Sequence, residues 1–275
     1  MNAQFVALVR LIVQSRTGVV VDPERHYLIQ HRLAPVARRE GFDSVEALLT
    51  EIKAKRDARL MWAIADAMSP TESAFFRDMT PFVQFRDMLL PKLASARGSN
   101  PIKVWSAGCG NGEEPYSLAM IVDAEQEQYP QTPIEIYASD LSERCLTKAQ
   151  TGIYTQAEIQ RGLPARNLVQ HFTKQDELWR LSPSIRRRVR WRRLNLIADL
   201  KPVGRFDVIF CRYVLEAFDG PTRKQVLEQL AGALNPDGYL VLGDTETVLG
   251  LTEALRPVPG QRGVFVREWQ AAMAA

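Results

Sequence analysis

Hydrophobic residues recur every three or four positions through about the first 95 residues, which is the spacing of one face of a helix. Four of them define the first predicted helix: Phe5, Leu8, Val9 and Ile12. Pro23 is expected to open a second helix, because proline fits the first helical turn, where no backbone donor is needed. Later helices are predicted at residues 45–53, capped by Asp43 or Ser44, at residues 57–67, and after Pro81. The amino-terminal part is therefore predicted to be all helical.

From residue 102 onward, short apolar runs alternate with helix-length amphipathic segments. The predicted strands are residues 102–107, 134–139, 207–211, 239–243 and, as a last edge strand, 264–267. The predicted helices between them are residues 114–127, 142–151 and 221–234. Such alternation is typical of a mainly parallel sheet with helices on both faces. The predicted fold class is therefore α/β, with a doubly wound, Rossmann-like sheet.

Two changes in this pattern predict the domain organisation. Residues 97–101 are rich in turn-forming residues and form a boundary. We therefore expect a helical domain at residues 1–80, a helix and linker at 81–100, and the α/β domain at 101–275. Residues from about 155 to 190 interrupt the strand and helix alternation, so they are predicted to form a small inserted subdomain.

The composition is that of an ordinary globular protein, with 46% hydrophobic and 24% charged residues and a formal net charge of +3. That charge is too small to indicate a nucleic-acid partner by itself. Cys109, Cys145 and Cys211 lack the spacing of a zinc site or a disulfide framework, and we expect them to be buried as small hydrophobic residues. Without a leader sequence or an apolar run of about 18 residues, we expect a cytoplasmic protein with no membrane insertion.

The most informative segment is a glycine-rich turn at the end of the first predicted strand, with Gly108, Gly110 and Gly112. Glycines at this end of a strand let the backbone approach a ligand closely. Dinucleotide-binding proteins use a similar turn, but there the following helix start meets a pyrophosphate. Glu113 and Glu114 would repel a pyrophosphate and would attract a cationic amino-acid group. The alternative is a tight turn with acidic residues that stabilise the helix start.

Asp140 ends the second predicted strand, where an acidic residue binds the ribose hydroxyls of an adenosine ligand. It could instead only cap the helix that begins at Ser142. Because the glycine turn precedes it by one strand–helix–strand unit, ribose binding is favoured. Together with Glu113, these features predict a site for S-adenosylmethionine.

Several strings of residues resemble the chemotaxis receptor glutamate methyltransferases, the CheR family. They are TESAFFRD (71–78), WSAGC (105–109), GEEPYSLAM (112–120), ASDLS (138–142), AQTGIY (149–154), NL (195–196), FDVIFCR (206–212) and GYLVLGDTE (238–246). The resemblance covers nearly the whole chain. It implies a helical amino-terminal domain and a doubly wound α/β domain that carries a small antiparallel β-subdomain.

The family transfers a methyl group from S-adenosylmethionine to glutamate side chains on the cytoplasmic helices of chemoreceptors. The cofactor-binding residues implied here are Thr71, Ser73, Arg77, Gly108, Glu113, Asp140, Asn195, Leu196, Arg212 and Tyr213. Among them, Glu113 would hold the amino group, Asp140 the ribose, and Asn195 with Leu196 the adenine end. Arg77, the expected catalytic residue, would lie near the methionine carboxylate and the incoming substrate carboxylate.

The expected reaction is an in-line displacement that needs no metal ion, and positioning supplies most of its catalysis. The attacking carboxylate is already ionised at pH 7, so no strong base is needed. Arg77 suits this reaction because its planar guanidinium group binds carboxylates with two hydrogen bonds. The alternative role for Arg77 is a structural ion pair with Asp78 or Glu72.

This chain departs from the family pattern at four positions. Thr71 stands where an asparagine is usual, and Asp244 stands where a histidine is common. Tyr213 replaces an asparagine that lines the cofactor pocket, and Ala217 replaces a tyrosine that faces the reacting carboxylate. These departures support a second hypothesis, a weakened family member that binds S-adenosylmethionine or receptor without normal turnover.

Basic residues cluster in two places. Residues 186–193 hold six arginines around Trp191, which indicates either RNA binding, as in an RNA methyltransferase, or a strand with Val189 and Trp191 facing inward. The resemblance favours the strand, so no nucleic-acid partner is expected. The second helix adds Arg25, Arg32, Arg38 and Arg39. These could face the acidic receptor helix of a monomeric enzyme, or they could form a solvated surface.

Overall fold

The computed structural model describes residues 2–22, 24 and 26–268. The predicted helix start at Pro23 and the basic residue Arg25 lie outside these residues. The chain divides into a helical unit, Met1–Pro70 with Glu216–Thr222, and a sheet unit, Thr71–Leu215 with Arg223–Ala275. The domain bounds predicted near residues 80 and 100 stay a prediction.

The helical unit is built from α1 (Ala3–Thr17), α2 (His26–Arg39), α3 (Val45–Lys55) and α4 (Ala58–Met68). Side chains cap these helices where the sequence predicts a start. The Ser44 hydroxyl accepts the N–H of Ala47 at 3.0 Å, and the Asp57 carboxylate accepts the N–H of Arg59 at 2.8 Å. Apolar side chains at helical spacing, such as Ile12, form the fully buried core of the unit.

The sheet unit begins with helices. The first elements are α5 (Thr80–Gln84), a π-helical turn (Phe85–Leu89) and α6 (Leu90–Arg97). The remaining elements are β1 (Ile102–Ala107), α7 (Glu113–Glu125), β2 (Ile134–Asp140), α8 (Glu143–Thr151), β3 (Ile153–Thr155), α9 (Gln156–Gln160), α10 (Ala165–His171), β4 (Phe172–Gln175), β5 (Leu178–Leu181), α11 (Pro183–Arg186), β6 (Val189–Arg193), β7 (Phe206–Phe210), α12 (Gly220–Ala233), β8 (Leu234–Val241), β9 (Leu255–Pro257) and β10 (Val264–Arg267). Of these, α12 starts in the helical unit and continues into the sheet unit.

The main sheet of the described residues has seven strands in the order β6-β2-β1-β7-β8-β10-β9. The first five strands run parallel, and β10 runs antiparallel to both β8 and β9. Val104, Ile136 and Val208, on three adjacent strands, are fully buried because helices cover the sheet. The predicted doubly wound, mainly parallel α/β fold is thereby confirmed.

A second, smaller sheet is inserted between α8 and β6. It contains three antiparallel strands in the order β3-β5-β4, with α9 and α10 between β3 and β4. Leu178 and Thr155 face each other across the β3 and β5 pair. This sheet is the small inserted subdomain expected from the resemblance.

Two strand predictions need correction. Strand β10 is not an edge strand, because β9 pairs with its outer side and takes the edge. The sequence pattern missed β9 because its three residues are too few to show alternation. Strand β6 lies at the opposite edge of the sheet. From the sequence, this segment was consistent with either an RNA-binding segment or a strand.

Candidate functional site

The glycine loop, residues 108–112, connects β1 to α7. Gly108, Gly110 and Gly112 have φ angles of 76°, 53° and 92°. A Cβ atom on Gly108 would lie 2.5 Å from Cγ2 of Val214, and one on Gly112 would lie 2.8 Å from the Cβ of Ala149. Side chains at these two positions would therefore combine a strained backbone with a steric overlap. The loop needs glycine for both its conformation and its close packing.

Asp140 lies at the end of β2 and binds the glycine loop. Its Oδ2 accepts the N–H of Gly110 at 2.9 Å, and its Oδ1 accepts the N–H of Ser142 at 2.9 Å. The cap of α8 is Ser142, whose hydroxyl accepts the N–H of Cys145 at 3.2 Å. Asp140 is therefore not the helix cap. It lies beside the loop, where a ribose-binding residue is expected, and the ribose contact itself stays a prediction.

Glu113 and Glu114 both open α7, but their side chains have different surroundings. One carboxylate oxygen of Glu114 accepts the hydroxyl of Ser106 at 2.8 Å, and the other pairs with Arg212 at 3.2 Å. The side chain of Glu113 is buried, and its Oε2 has no hydrogen-bond partner among the described residues. Only Glu113 is thus available to bind a ligand cation.

Burial raises the pKa of the Glu113 carboxyl group above its ordinary value. The backbone of Glu113 and the Ser73 hydroxyl act in the opposite direction, but the desolvation effect is larger. A buried carboxylate is costly unless a cation pairs with it. The amino group of S-adenosylmethionine would supply that cation, so the donors and acceptors present at Glu113 fit the predicted cofactor.

Arg212, directly after the end of β7, connects three segments. Its Nη2 donates to the backbone oxygen of Arg77 at 2.6 Å and to Oδ2 of Asp78 at 3.0 Å. Its Nη1 donates to Glu114, and its side chain is only 1% exposed. Arg212 therefore attaches the linker segment, residues 71–78, to the start of α7. A contact between Arg212 and the cofactor stays a prediction.

Arg77 stacks on the ring of Tyr213, with its Cζ atom 3.6 Å from the ring centroid. Within the described part of the chain, its guanidinium group makes no ion pair with Glu72 or Asp78. Asp78 instead accepts hydrogen bonds from Arg212 and from the Tyr213 hydroxyl. The structural alternative for Arg77 is therefore not observed, and its donors remain available to carboxylates.

The linker segment also covers the glycine loop. The Cβ atom of Ser73 lies 3.2 Å, and the backbone oxygen of Thr71 3.8 Å, from the position that a Cβ on Gly110 would occupy. Ser73 and Arg77 line a small cavity together with Gly108, Arg212 and Tyr213. Two implied cofactor segments that are distant in sequence thus meet in space.

Asn195 and Leu196 lie close to Asp140 through the backbone. The N–H of the preceding Leu194 donates to the backbone oxygen of Asp140 at 3.0 Å. The side chain of Gln229, on α12, donates to the backbone oxygen of Leu196 at 3.4 Å. This segment therefore follows β6 at the same edge of the sheet as Asp140, and its contact with adenine stays a prediction.

Positive φ angles at residues other than glycine concentrate in this site. Three of the five such residues in the described chain are Phe76, Asp78 and Tyr213, at 48°, 51° and 59°. Each such conformation costs of the order of 1–3 kcal/mol and is retained mainly where function requires it. Their clustering makes the linker segment and the end of β7 candidates for a functional role.

Sequence reasoning missed two residues that shape the site. Glu246 accepts the N–H groups of Tyr213 at 2.7 Å, Gly243 at 2.9 Å and Leu215 at 2.9 Å, so it fixes the turn after β7. A glutamate shortly after a strand and a glycine was its only sequence signal, and that signal is common.

The second missed residue is Tyr154, in β3. Its hydroxyl donates to the backbone oxygen of Asn111 in the glycine loop at 2.9 Å. Its ring packs edge-on against Phe75 of the linker segment at 5.0 Å between centroids. The small sheet thereby contacts both the loop and the linker segment, which no pattern within the three residues of β3 could indicate.

The second part of the arginine run, Val189–Arg193, forms β6, as its strand interpretation predicts. Val189 is buried and Trp191 half-buried, whereas Arg190 and Arg192 are exposed. The Trp191 ring packs against Tyr116 on α7 at 5.4 Å between centroids. This alternation explains the aromatic residue among the arginines without a nucleic acid.

We assign no chemical role in the candidate site to the cysteines or to His171. Cys109, Cys145 and Cys211 are buried, as predicted, and form no disulfide in the described part of the chain, and burial raises the pKa of the Cys109 and Cys211 thiols. Burial also lowers the pKa of His171. Within residues 2–22, 24 and 26–268 there is no group of three or more metal-binding side chains. In the same residues, no helix has the length and apolar character needed to span a bilayer.

Known proteins resemble this chain over most of its length. It is 35% identical over 270 residues to chemotaxis protein methyltransferase 1 of Pseudomonas aeruginosa. The aligned region covers 97% of this chain and 98% of that protein. It is 36% identical over 258 residues to chemotaxis protein methyltransferase 1 of Vibrio cholerae, with 93% of each chain covered.

Among solved structures, the TehB-like SAM-dependent methyltransferase from Corynebacterium glutamicum is 18% identical, covers 64% of this chain and 85% of its own, and has a TM-score of 0.36. A similarity at that TM-score is too weak to support a conclusion.

Residues 71–264 match the family described as CheR methyltransferase, SAM binding domain, and these residues include the glycine loop, Glu113, Asp140 and the linker segment. The chain belongs to the CheR methyltransferase family.

Proposed function

We propose that this protein transfers the methyl group of S-adenosylmethionine to glutamate side chains on the cytoplasmic helices of methyl-accepting chemoreceptors. The products are a glutamyl methyl ester and S-adenosylhomocysteine. Two relatives named chemotaxis protein methyltransferase 1 are 35% and 36% identical to this chain, and the similarity extends over nearly their whole length. The observation that carries the proposal is the buried carboxylate of Glu113, whose Oε2 has no hydrogen-bond partner among the described residues, at the end of a glycine loop that shares a cavity with Arg77.

Four segments would hold the cofactor. Glu113 would bind its amino group, Asp140 its ribose hydroxyls, and the segment after β6 its adenine. The glycine loop would allow close backbone contact with the ligand, since its glycines carry no side chain. When bound, S-adenosylmethionine supplies a methyl group on a sulfonium ion, which an oxygen nucleophile can displace in line.

Arg77 would orient the receptor glutamate. A guanidinium group binds a carboxylate through two parallel hydrogen bonds, and these fix the direction of the attacking oxygen. The glutamate is ionised at neutral pH, so no residue has to remove a proton. Holding the two reactants in line supplies most of the rate enhancement. Asp78 does not pair with Arg77 among the described residues, and its Oδ2 accepts hydrogen bonds from Arg212 and Tyr213 instead.

Binding and transfer can be measured separately. Calorimetry with S-adenosylmethionine and S-adenosylhomocysteine tests the cofactor site, and a Glu113→Ala variant is its matched control. Transfer of a radiolabelled methyl group to receptor-containing membranes tests the reaction. We expect base-labile label on protein, because glutamyl methyl esters hydrolyse in base.

Other outcomes would favour the alternatives. Cofactor binding without label on receptor would support the weakened family member, for which Tyr213 and Ala217 are the sequence evidence. Label in RNA would support an RNA methyltransferase. Absence of binding by either ligand at micromolar concentration would contradict the cofactor assignment.

The proposed partner surface lies on the helical unit. Arg38 of α2 is exposed and makes no ion pair among the described residues, whereas Arg39 pairs with Glu40 at 3.0 Å. An acidic receptor helix would be attracted to such a free positive charge.

We propose that the protein acts in the cytoplasm as a monomer.

A further inference from the structure

We propose that Tyr213 is a positioning residue that holds the guanidinium group of Arg77 in the orientation required for carboxylate binding. This inference rests on the proposed function, because it takes Arg77 as the group that binds a carboxylate. Tyr213 thereby acquires a role different from the cofactor contact that the resemblance implies for its position.

The contact between the two side chains is close and leaves the arginine donors free. The Cζ atom of Arg77 lies 3.6 Å from the centroid of the Tyr213 ring, which is stacking distance. Stacking uses the flat face of the guanidinium group, whereas its N–H donors point outward in the plane. The aromatic ring can therefore restrict the orientation of Arg77 without occupying any donor that a carboxylate needs.

The ring itself is fixed at both ends. At its far end, the Tyr213 hydroxyl donates to Asp78 and accepts the N–H of Asp244 at 3.3 Å. At its backbone end, the N–H of Tyr213 donates to Glu246 at 2.7 Å. A side chain so constrained has few alternative rotamers, so the group stacked on it is held as well.

Gly243 provides the space that the ring needs. A Cβ atom on Gly243 would lie 2.9 Å from Cε1 of Tyr213, so the ring fits because position 243 has no side chain. Arg212 also lies near the ring, but its Cζ atom is 5.4 Å from the centroid, and its two terminal nitrogens bind Asp78 and Glu114. Arg77 is therefore the cation on which the ring acts.

The backbone conformation indicates that the aromatic side chain has a purpose. Tyr213 has a φ angle of 59°, in the left-handed region that asparagine tolerates better than tyrosine. Tyrosine is the more strained choice here, and the stacking on Arg77 is the interaction that asparagine could not make.

A double-mutant cycle tests the inference. The proteins are the wild type, Tyr213→Leu, Arg77→Gln and the double variant, with kcat and KM for receptor methylation measured at saturating S-adenosylmethionine. Tyr213→Leu should lower kcat/KM by about 2- to 30-fold, the effect of losing one cation–π contact. In the Arg77→Gln background the same substitution should have almost no further effect.

Two controls separate the ring from the hydroxyl and from general destabilisation. Tyr213→Phe keeps the stacking and should retain most of the activity. Tyr137→Leu removes a second tyrosine that stacks on an arginine, Arg190 at 5.4 Å, away from the site, and it should leave kcat/KM unchanged. Effects of Tyr213→Leu and Arg77→Gln that multiply would overturn the inference.

A spectroscopic measurement decides the inference independently of turnover. The ring current of Tyr213 should shift the side-chain N–H resonance of Arg77, which is assigned by its loss in Arg77→Gln. That shift should disappear in Tyr213→Leu and persist in Tyr213→Phe, and an unchanged resonance in Tyr213→Leu would overturn the proposal. A wild type that binds S-adenosylhomocysteine but forms no ester would contradict the proposed function, and the resonance would still decide the role of Tyr213.

Discussion

At the scale of single residues, burial and pairing determine what each acidic side chain near the glycine loop can do. Glu113 and Glu114 are adjacent, yet only Glu114 has a cationic partner within the described chain. Successive residues on a helix point about 100° apart, so one of them faces Arg212 and the other does not. We therefore expect the cationic group of the ligand to pair with Glu113 and not with Glu114.

Glu113 is expected to destabilise the ligand-free protein at neutral pH. Its pKa is raised in the folded state, so between the ordinary and the raised value only the folded state keeps the proton. Stability therefore falls as pH rises through this range, and the full cost applies above the folded pKa. Glu113→Gln should raise Tm at pH 7, by roughly 2–4 °C for each kcal/mol gained, and should weaken binding of S-adenosylhomocysteine.

Thermal unfolding at about pH 4 and about pH 7 checks this expectation, because the gain should shrink at the lower pH. Glu114→Gln is the matched control. It breaks the pair with the buried Arg212, so it should lower Tm. An equal or lower Tm for Glu113→Gln at pH 7 would contradict the assignment of an unpaired buried charge.

The same carboxyl group predicts a pH dependence of ligand binding. A bound ammonium group stabilises the ionised form of Glu113 and lowers its raised pKa. Affinity for S-adenosylhomocysteine should therefore increase as pH rises towards the pKa of the free protein and level off above it. Calorimetry over a pH series that rises from the ordinary glutamate pKa of about 4.3 should show proton release on binding. A Glu113→Gln variant should lose both the pH dependence and the proton release.

At the scale of elements, the site depends on side chains that connect segments distant in sequence. Arg212 connects the end of β7 to the linker segment and to α7, and Tyr154 connects β3 to the glycine loop. Each contact joins residues from different elements or segments. The small sheet and the linker segment therefore help to determine the conformation of the loop that would bind the cofactor.

Removing the Tyr154 hydroxyl should weaken cofactor binding. Tyr154→Phe leaves the backbone oxygen of Asn111 without this donor, which should cost about 1 kcal/mol of stability. Because Asn111 belongs to the glycine loop, the Kd for S-adenosylhomocysteine should also rise. Tyr116→Phe is the matched control, since its equally buried hydroxyl binds the backbone oxygen of Ala149 outside the loop at 2.7 Å.

Tyr116→Phe should therefore lose similar stability with a smaller change in Kd. Equal increases in Kd for the two variants, measured by calorimetry, would show that the hydroxyl of Tyr154 has no specific effect on the loop.

Long periodic elements and the main motif could be predicted from the sequence, whereas short elements and pairings could not. Strand β1, α7 and Asp140 follow from hydrophobic spacing and from the glycine turn, because both are local in sequence. Strand β9 was missed because three residues show no period. The partners of Arg212, and the partners of Glu246 in the turn after β7, lie more than 30 positions away, so no local pattern could identify them.

At the scale of the whole molecule, the basic residues of α2 divide into structural and available charges. Arg32 donates to the backbone oxygen of Met68 at 2.8 Å, so its substitution would disturb the packing of the helical unit. Arg38 is exposed and has no such contact among the described residues. A charge reversal at Arg38 therefore tests receptor attraction more cleanly than one at Arg32.

Arg38→Glu should raise the KM for receptor by roughly 3- to 10-fold, with kcat unchanged, because a surface charge mainly affects encounter with the partner. Affinity for S-adenosylhomocysteine should stay the same. Lys201→Glu, a reversal at an exposed lysine of the sheet unit, should have little effect on KM. An unchanged KM for Arg38→Glu would contradict the proposed partner surface.

The position of β6 at the edge of the main sheet has a consequence for association between copies of the protein. An edge strand exposes a row of backbone donors and acceptors that a second strand could join, and this is a route to aggregation. Exposed arginines at 190, 192 and 193 lie along that edge. Like charges at these positions would disfavour pairing between two such edges, so we expect the arginines of β6 to oppose extension of the sheet by a second copy.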